Sequence, residues 1–93
     1  MAPPRVMIIE FARTFSKQLR KFSVQERDRV NQAIEIFKRN PFAVLLRNHK
    51  LQGVQKGIRS ISAGYDIRIL YVEKDDHAFV LFIHIGSHED IYE

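Results

Sequence analysis

The sequence predicts an α+β domain: an N-terminal strand, an antiparallel helical hairpin, then a three-stranded antiparallel meander that completes one twisted sheet. Apolar residues between positions 11 and 37 recur at helical spacing, whereas those between 58 and 85 alternate or run continuously. Ala63-Gly64 and Asp75-Asp76 cut that second half into three strands. With 93 residues and 45% hydrophobic content, residues 1–93 read as a single domain with one core.

In chain order, Val6 to Phe11 is a short apolar strand. From Ala12 the spacing turns helical, with Phe11, Phe15, Leu19 and Phe22 on one face and Arg13, Lys17, Arg20 and Lys21 elsewhere. Ser23 and Glu26 form an S-x-x-E capping box that opens a second helix. Its buried stripe is Val30, Ala33, Ile34 and Phe37, and Asn40-Pro41 stops it. Two helices joined by so short a break fold back on each other and share one apolar face, which a sheet has to cover. Phe42 to Lys56 has no sustained period and reads as an irregular loop of the functional kind, anchored by Leu51. Ile58 to Ser62 and Ile67 to Glu73 read as strands. Ala78 to Ile85 is apolar on both faces except for His84, the mark of a central strand, and Gly86 ends it. Ser87 to Glu93 is a polar tail whose large side chains are Ile91 and Tyr92.

The chain has no Cys, which excludes a disulfide framework and a thiolate metal site and suits a reducing cytoplasm. No apolar segment approaches the roughly 20 residues of a membrane span, and MAPPRV lacks the apolar core of a signal peptide. Charge is distributed unevenly. Residues 1–59 carry 13 basic and 4 acidic residues, residues 60–93 carry 2 and 7, and the net charge is +4. Helical Lys and Arg ordinarily form a solvated face, but the basic run from Arg47 through Lys50 and Lys56 to Arg59 lies in loop and strand. That placement makes nucleic acid the leading anionic partner.

Residues able to do chemistry gather at two places. His49 sits in the basic loop and Asp66 at the mouth of the strand after the glycine turn, while His88 follows the last strand. Each has a plain reading as well: His49 as a surface or packing residue, Asp66 as a turn cap, Arg68 as a structural ion-pair partner, Tyr92 as a core closure. His77 and His84 read as packing residues. His84 and His88 have zinc-like spacing, but at a strand end side chains four apart do not converge on one ion.

The opening FSKQLRKF helix, the helix ending NP, HKLQG, KGIRSI, DIRILYV and the closing IGSHEDIY together resemble the RelE/ParE superfamily of bacterial and archaeal toxins, and within it the YafQ-like mRNA interferases. The resemblance spans nearly the whole chain and implies a RelE-like fold, cleavage of messenger RNA on the ribosome and a cognate antitoxin. Carried over by position, it implies catalytic roles for His49 in HKLQG, Asp66 in YDIRILY, His88 in GSHED and Tyr92. One position departs: Ser62 stands where that branch has a further histidine. RelE relatives use Lys and Arg instead, a role open here to Lys50, Lys56, Arg59 and Arg68, and Arg47 joins them as an expected RNA-phosphate contact.

RNA cleavage through the 2′-hydroxyl requires a base, an acid for the leaving 5′-oxygen and cations for the phosphorane. The sequence supplies all three without a cofactor. His88 reads as the acid, His49 or Asp66 as the base, Arg59 or Arg68 as phosphate ligands, and Tyr92 as the residue beside the base at the cut. Two alternatives keep the same fold without this chemistry: a ParE-like DNA gyrase inhibitor and a non-catalytic RNA-binding module.

Overall fold

The computed structural model, which describes residues 6–53 and 57–88, places the latest described strand inside the sheet rather than at its rim. The elements are β1 (Ile8–Phe11), α1 (Arg13–Arg20), α2 (Val24–Arg39), a 3₁₀ turn (Val44–Leu46), β2 (His49–Lys50), β3 (Arg59–Ser62), β4 (Ile67–Lys74) and β5 (Phe79–Ser87). Among the described residues the five strands run in the order β1-β5-β4-β3-β2. β5 therefore lies between β1 and β4.

The expected architecture holds, with differences in detail. The sheet is mixed: β1 runs parallel to β5 while the other pairs are antiparallel. Ile8 and Ala12 donate to the carbonyls of Ala78 and Phe82 at 2.9 and 2.8 Å, bracketing this parallel pair. The stretch read as irregular holds the 3₁₀ turn and β2. A two-residue strand is too short to show a period; it exists because His49 and Lys50 pair with Ser60 and Arg59. Gly86 does not end β5, since Arg68 pairs with it and the ladder continues to Ile67 and Ser87.

α2 starts where its capping box does. Ser23 Oγ accepts from the Glu26 amide at 3.1 Å, and Glu26 Oε1 accepts from the Ser23 amide at 3.0 Å. The Ser23 amide and hydroxyl hold the Glu26 carboxyl below its ordinary value. The core lies between helices and sheet: Phe15 of α1, Val30, Ala33, Ile34 and Phe37 of α2, and Ile61, Ile69, Tyr71, Phe82 and Ile85 of the strands. Phe37 is wholly buried, with its ring 4.9 Å from that of Tyr71 and 5.2 Å from that of Phe82, both edge-on. Where β1 stops, Gln18 of α1 takes over, its Oε1 accepting from the Ile85 amide at 2.8 Å and its Nε2 contacting His84 Nδ1 at 2.9 Å. On the other face Leu51 and Leu70 make a smaller cluster, against which Ile58 and Ile83 pack. Leu51 thus anchors the loop as expected.

Candidate functional site

β4 begins and β5 ends at the same edge, so the pairing of Ile67 with Ser87 sets their neighbours side by side. The His88 amide donates to the Asp66 carbonyl at 2.9 Å, and lies 3.4 Å from Asp66 Oδ1. Two residues 22 positions apart are thereby held together by backbone, and both side chains remain exposed. They line a groove of about 870 Å³ whose walls include Arg29 and Gln32 of α2, Val44 to Arg47, Ser62 to Tyr65, and Arg68. Three guanidinium groups face one carboxylate there, which favours an anionic occupant.

The Gly64 turn shapes one wall. Gly64 adopts φ +88°, and a Cβ there would come within 3.0 Å of Arg29 Cδ. Arg68 fastens the same turn from the other side, its Nη1 donating to the carbonyls of Tyr65 at 3.3 Å and Ile67 at 3.1 Å. Ser62, where a histidine is expected from the resemblance, is directly opposite Arg68 in the β3–β4 ladder and also lines the groove.

His49 enters from another direction. It lies on β2, exposed, with Nδ1 donating to the Arg47 carbonyl at 2.9 Å. Two strand spacings, about 10 Å, separate β2 from β4. Asp66 and His88 are thus brought together, whereas His49 stands across the sheet from them, in register with Ser60 and on the face that carries Ser62 and Arg68.

The cations divide by face. Arg47 and Arg68 line the groove, while Lys50 and Arg59 are opposed to each other and to Tyr71, on the alternate face of their strands. Arg59 is engaged there: its Nε donates to Asn48 Oδ1 at 2.8 Å and its guanidinium sits 5.2 Å from the centre of the Phe42 ring. Asn48 completes the tie by donating from Nδ2 to the Pro41 carbonyl at 2.9 Å and to Tyr71 Oη at 2.6 Å. Tyr71 Oη in turn lies 2.8 Å from His77 Nε2, an arrangement in which the phenol donates. Burial pushes the Tyr71 phenol above its ordinary value, against the opposing pull of Asn48 and Arg59. His77, read as a packing residue, is buried in this network. Lys56 and Tyr92 lie outside the described residues.

Sequence reasoning missed Arg29 and Tyr65. Arg29 gave no signal, being one of several exposed helix cations, whereas Tyr65 had one in its position between the turn glycine and Asp66.

A helical pair on a mixed five-stranded sheet is the architecture of the RelE-like fold. The chain belongs to the YafQ family, bacterial toxins of type II toxin–antitoxin systems, whose model matches residues 7–93. Solved structures share the fold. A YoeB/ParE toxin from Agrobacterium tumefaciens is 20% identical with a TM-score of 0.73, over 88% of this chain and 99% of that one. YafQ from E. coli is 22% identical with a TM-score of 0.67, over 94% and 99%. The E. coli DinJ-YafQ complex matches at 23% identity and a TM-score of 0.65, over 94% and 99%. No curated protein matches by sequence. Among the described residues no helix is long and apolar enough to cross a membrane.

Proposed function

We propose that this toxin is a ribosome-dependent endoribonuclease that cleaves messenger RNA in the cytoplasm. The contact between Asp66 and His88 inside a groove lined by arginines is the observation that carries this reading. Asp66 or His49 takes the proton from the 2′-hydroxyl, and O2′ attacks phosphorus. The bond from phosphorus to O5′ then breaks as His88 protonates the leaving oxygen. Arg47 and Arg68 stabilise the equatorial oxygens. Lys50, Lys56 and Arg59 extend the basic surface toward the ribosomal RNA, and Tyr92 contacts the base at the cut. Because the nucleophile is the RNA's own hydroxyl, the chemistry calls for no metal-bound water.

An acidic antitoxin is the partner that the basic half of the chain supports. E. coli YafQ, of the same fold, is solved in complex with DinJ. The products test the reading: translated messenger RNA should be cut in excess EDTA with ribosomes kept intact, leaving a 2′,3′-cyclic phosphate and a 5′-hydroxyl. A deoxyribose 5′ of the scissile bond should block the cut. Intact messenger RNA alongside inhibited DNA supercoiling would replace this reading with that of a gyrase inhibitor, and RNA binding without cleavage would replace it with that of a binding module.

A further inference from the structure

Tyr65 is 96% exposed, more than any other large hydrophobic residue among the described residues, and its carbonyl accepts from Arg68 Nη1 at 3.3 Å. Arg29 lies against Gly64 on one side, and Arg68 holds the Tyr65 carbonyl on the other. An aromatic ring held in water by a fixed turn contributes nothing to the core. It offers a flat face with a preset position, at low entropic cost to whatever stacks on it.

Arg29 is the second half of the feature. It is exposed on α2, it lines the same groove as Asp66 and His88, and its charge acts on Glu26 three residues earlier on the helix. The bare Gly64 leaves room for its aliphatic stem, since a Cβ there would come within 3.0 Å of Arg29 Cδ, and its charge comes from α2 while Arg68 lies on β4. We propose that Tyr65 and Arg29 form a nucleotide subsite next to the scissile phosphate, where Tyr65 stacks on a single-stranded base and Arg29 binds the adjoining phosphate. This rests on the ribonuclease reading and adds a base-selecting element to it. A protein segment is the competing occupant, because Val44 and Leu45 are exposed on the same groove. A nucleotide fits better: it supplies a planar apolar face and an anion together, which matches an aromatic ring and three arginines facing one carboxylate.

The test uses the full chain, Arg29→Met and Arg29→Lys, and Tyr65→Ala and Tyr65→Phe, each with a melting curve matching the parent. The probes are messenger RNA on programmed ribosomes for cleavage, and a 2′-O-methyl RNA oligonucleotide of the cleaved sequence for affinity at several salt concentrations. Arg29→Met should raise KM with little change in kcat and lower the salt slope of RNA affinity by about 0.7, with Arg29→Lys restoring both. Tyr65→Ala should weaken binding about tenfold and flatten the preference among bases, while Tyr65→Phe keeps parental behaviour. Parental values for Arg29→Met and Tyr65→Ala, or losses confined to neutralisation by the antitoxin, would overturn the subsite and leave the nuclease standing. A parent protein that neither binds nor cuts RNA would overturn the nuclease reading and the subsite with it.

Discussion

The His88 amide is bonded to the Asp66 carbonyl at 2.9 Å, one residue beyond the last rung of the β4–β5 ladder. The spacing of these two groups is therefore set first by the sheet, with the longer 3.4 Å contact from the same amide to Asp66 Oδ1 added to it. Either side chain can be changed while the frame that positions it stays in place.

His88→Ala should accordingly abolish growth arrest on expression while unfolding within about 1 kcal/mol of the parent in urea. Asp66→Ala should lower cleavage strongly. Asp66→Asn separates two roles: restored activity would assign Asp66 to holding a histidine, and continued loss would assign it to proton transfer. Full toxicity of His88→Ala would remove His88 from the mechanism.

Asn48→Ala should cost about 2 kcal/mol, because it removes the bonds to Tyr71 Oη and Arg59 Nε together and leaves Tyr71 held by His77. Its position beside His49 adds a functional consequence, since the tie that fixes Asn48 also fixes the entry to β2. Chemical denaturation measures the first effect, and cleavage rate under conditions where the variant is fully folded measures the second.

Tyr71 predicts a dependence of stability on alkaline pH. Its phenol is raised in the folded chain by burial, so its contribution is complete below about pH 10 and is lost as pH climbs through the folded-state value. Tyr71→Phe should be less stable at neutral pH, through loss of the bonds to Asn48 and His77, and should lose less than the parent above pH 10. Glu26 works in the opposite direction: its lowered value gives stability above about pH 4.5 that disappears on acidification, and Glu26→Gln should flatten that limb. Urea midpoints measured across pH check both.

Phe37→Ala should destabilise by about 3–5 kcal/mol, as expected for a wholly buried ring packed on two others. Phe37→Leu should cost less, since it keeps much of the volume. Calorimetry or urea titration distinguishes the two.

Much of the frame was legible because local rules decide it. Ser23 and Glu26 signalled their capping box in four residues, and the stripe from Val30 to Phe37 is helical period alone. Asp66 and His88 stood out as candidates, and their meeting follows once Ile67 to Glu73 and Ala78 to Ile85 are read as neighbours. What escaped depends on distant partners. Nothing within Ile8–Phe11 shows that it pairs parallel with a strand about 70 positions later, and His49-Lys50 becomes a strand only when Ser60 and Arg59 are beside it. The charge of Arg59 is visible in sequence, while its bond to Asn48 and its place over Phe42 are not. Arg29 was lost among helix cations for the converse reason: only the bare Gly64 turn beneath it shows which of them reaches the groove.

The strand order has a consequence during synthesis. β5 is made after every other described strand, yet β1 has no described sheet neighbour except β5, and His88 follows β5. A nascent chain that has emerged only through β4 has an unfilled slot between β1 and β4 and no bond joining Asp66 to His88. Since domains condense as units once their long-range pairings become available, His88 and Asp66 meet only when nearly the whole described chain has left the ribosome. Translation thus places the meeting of Asp66 and His88 after β5, the latest described strand, has been made.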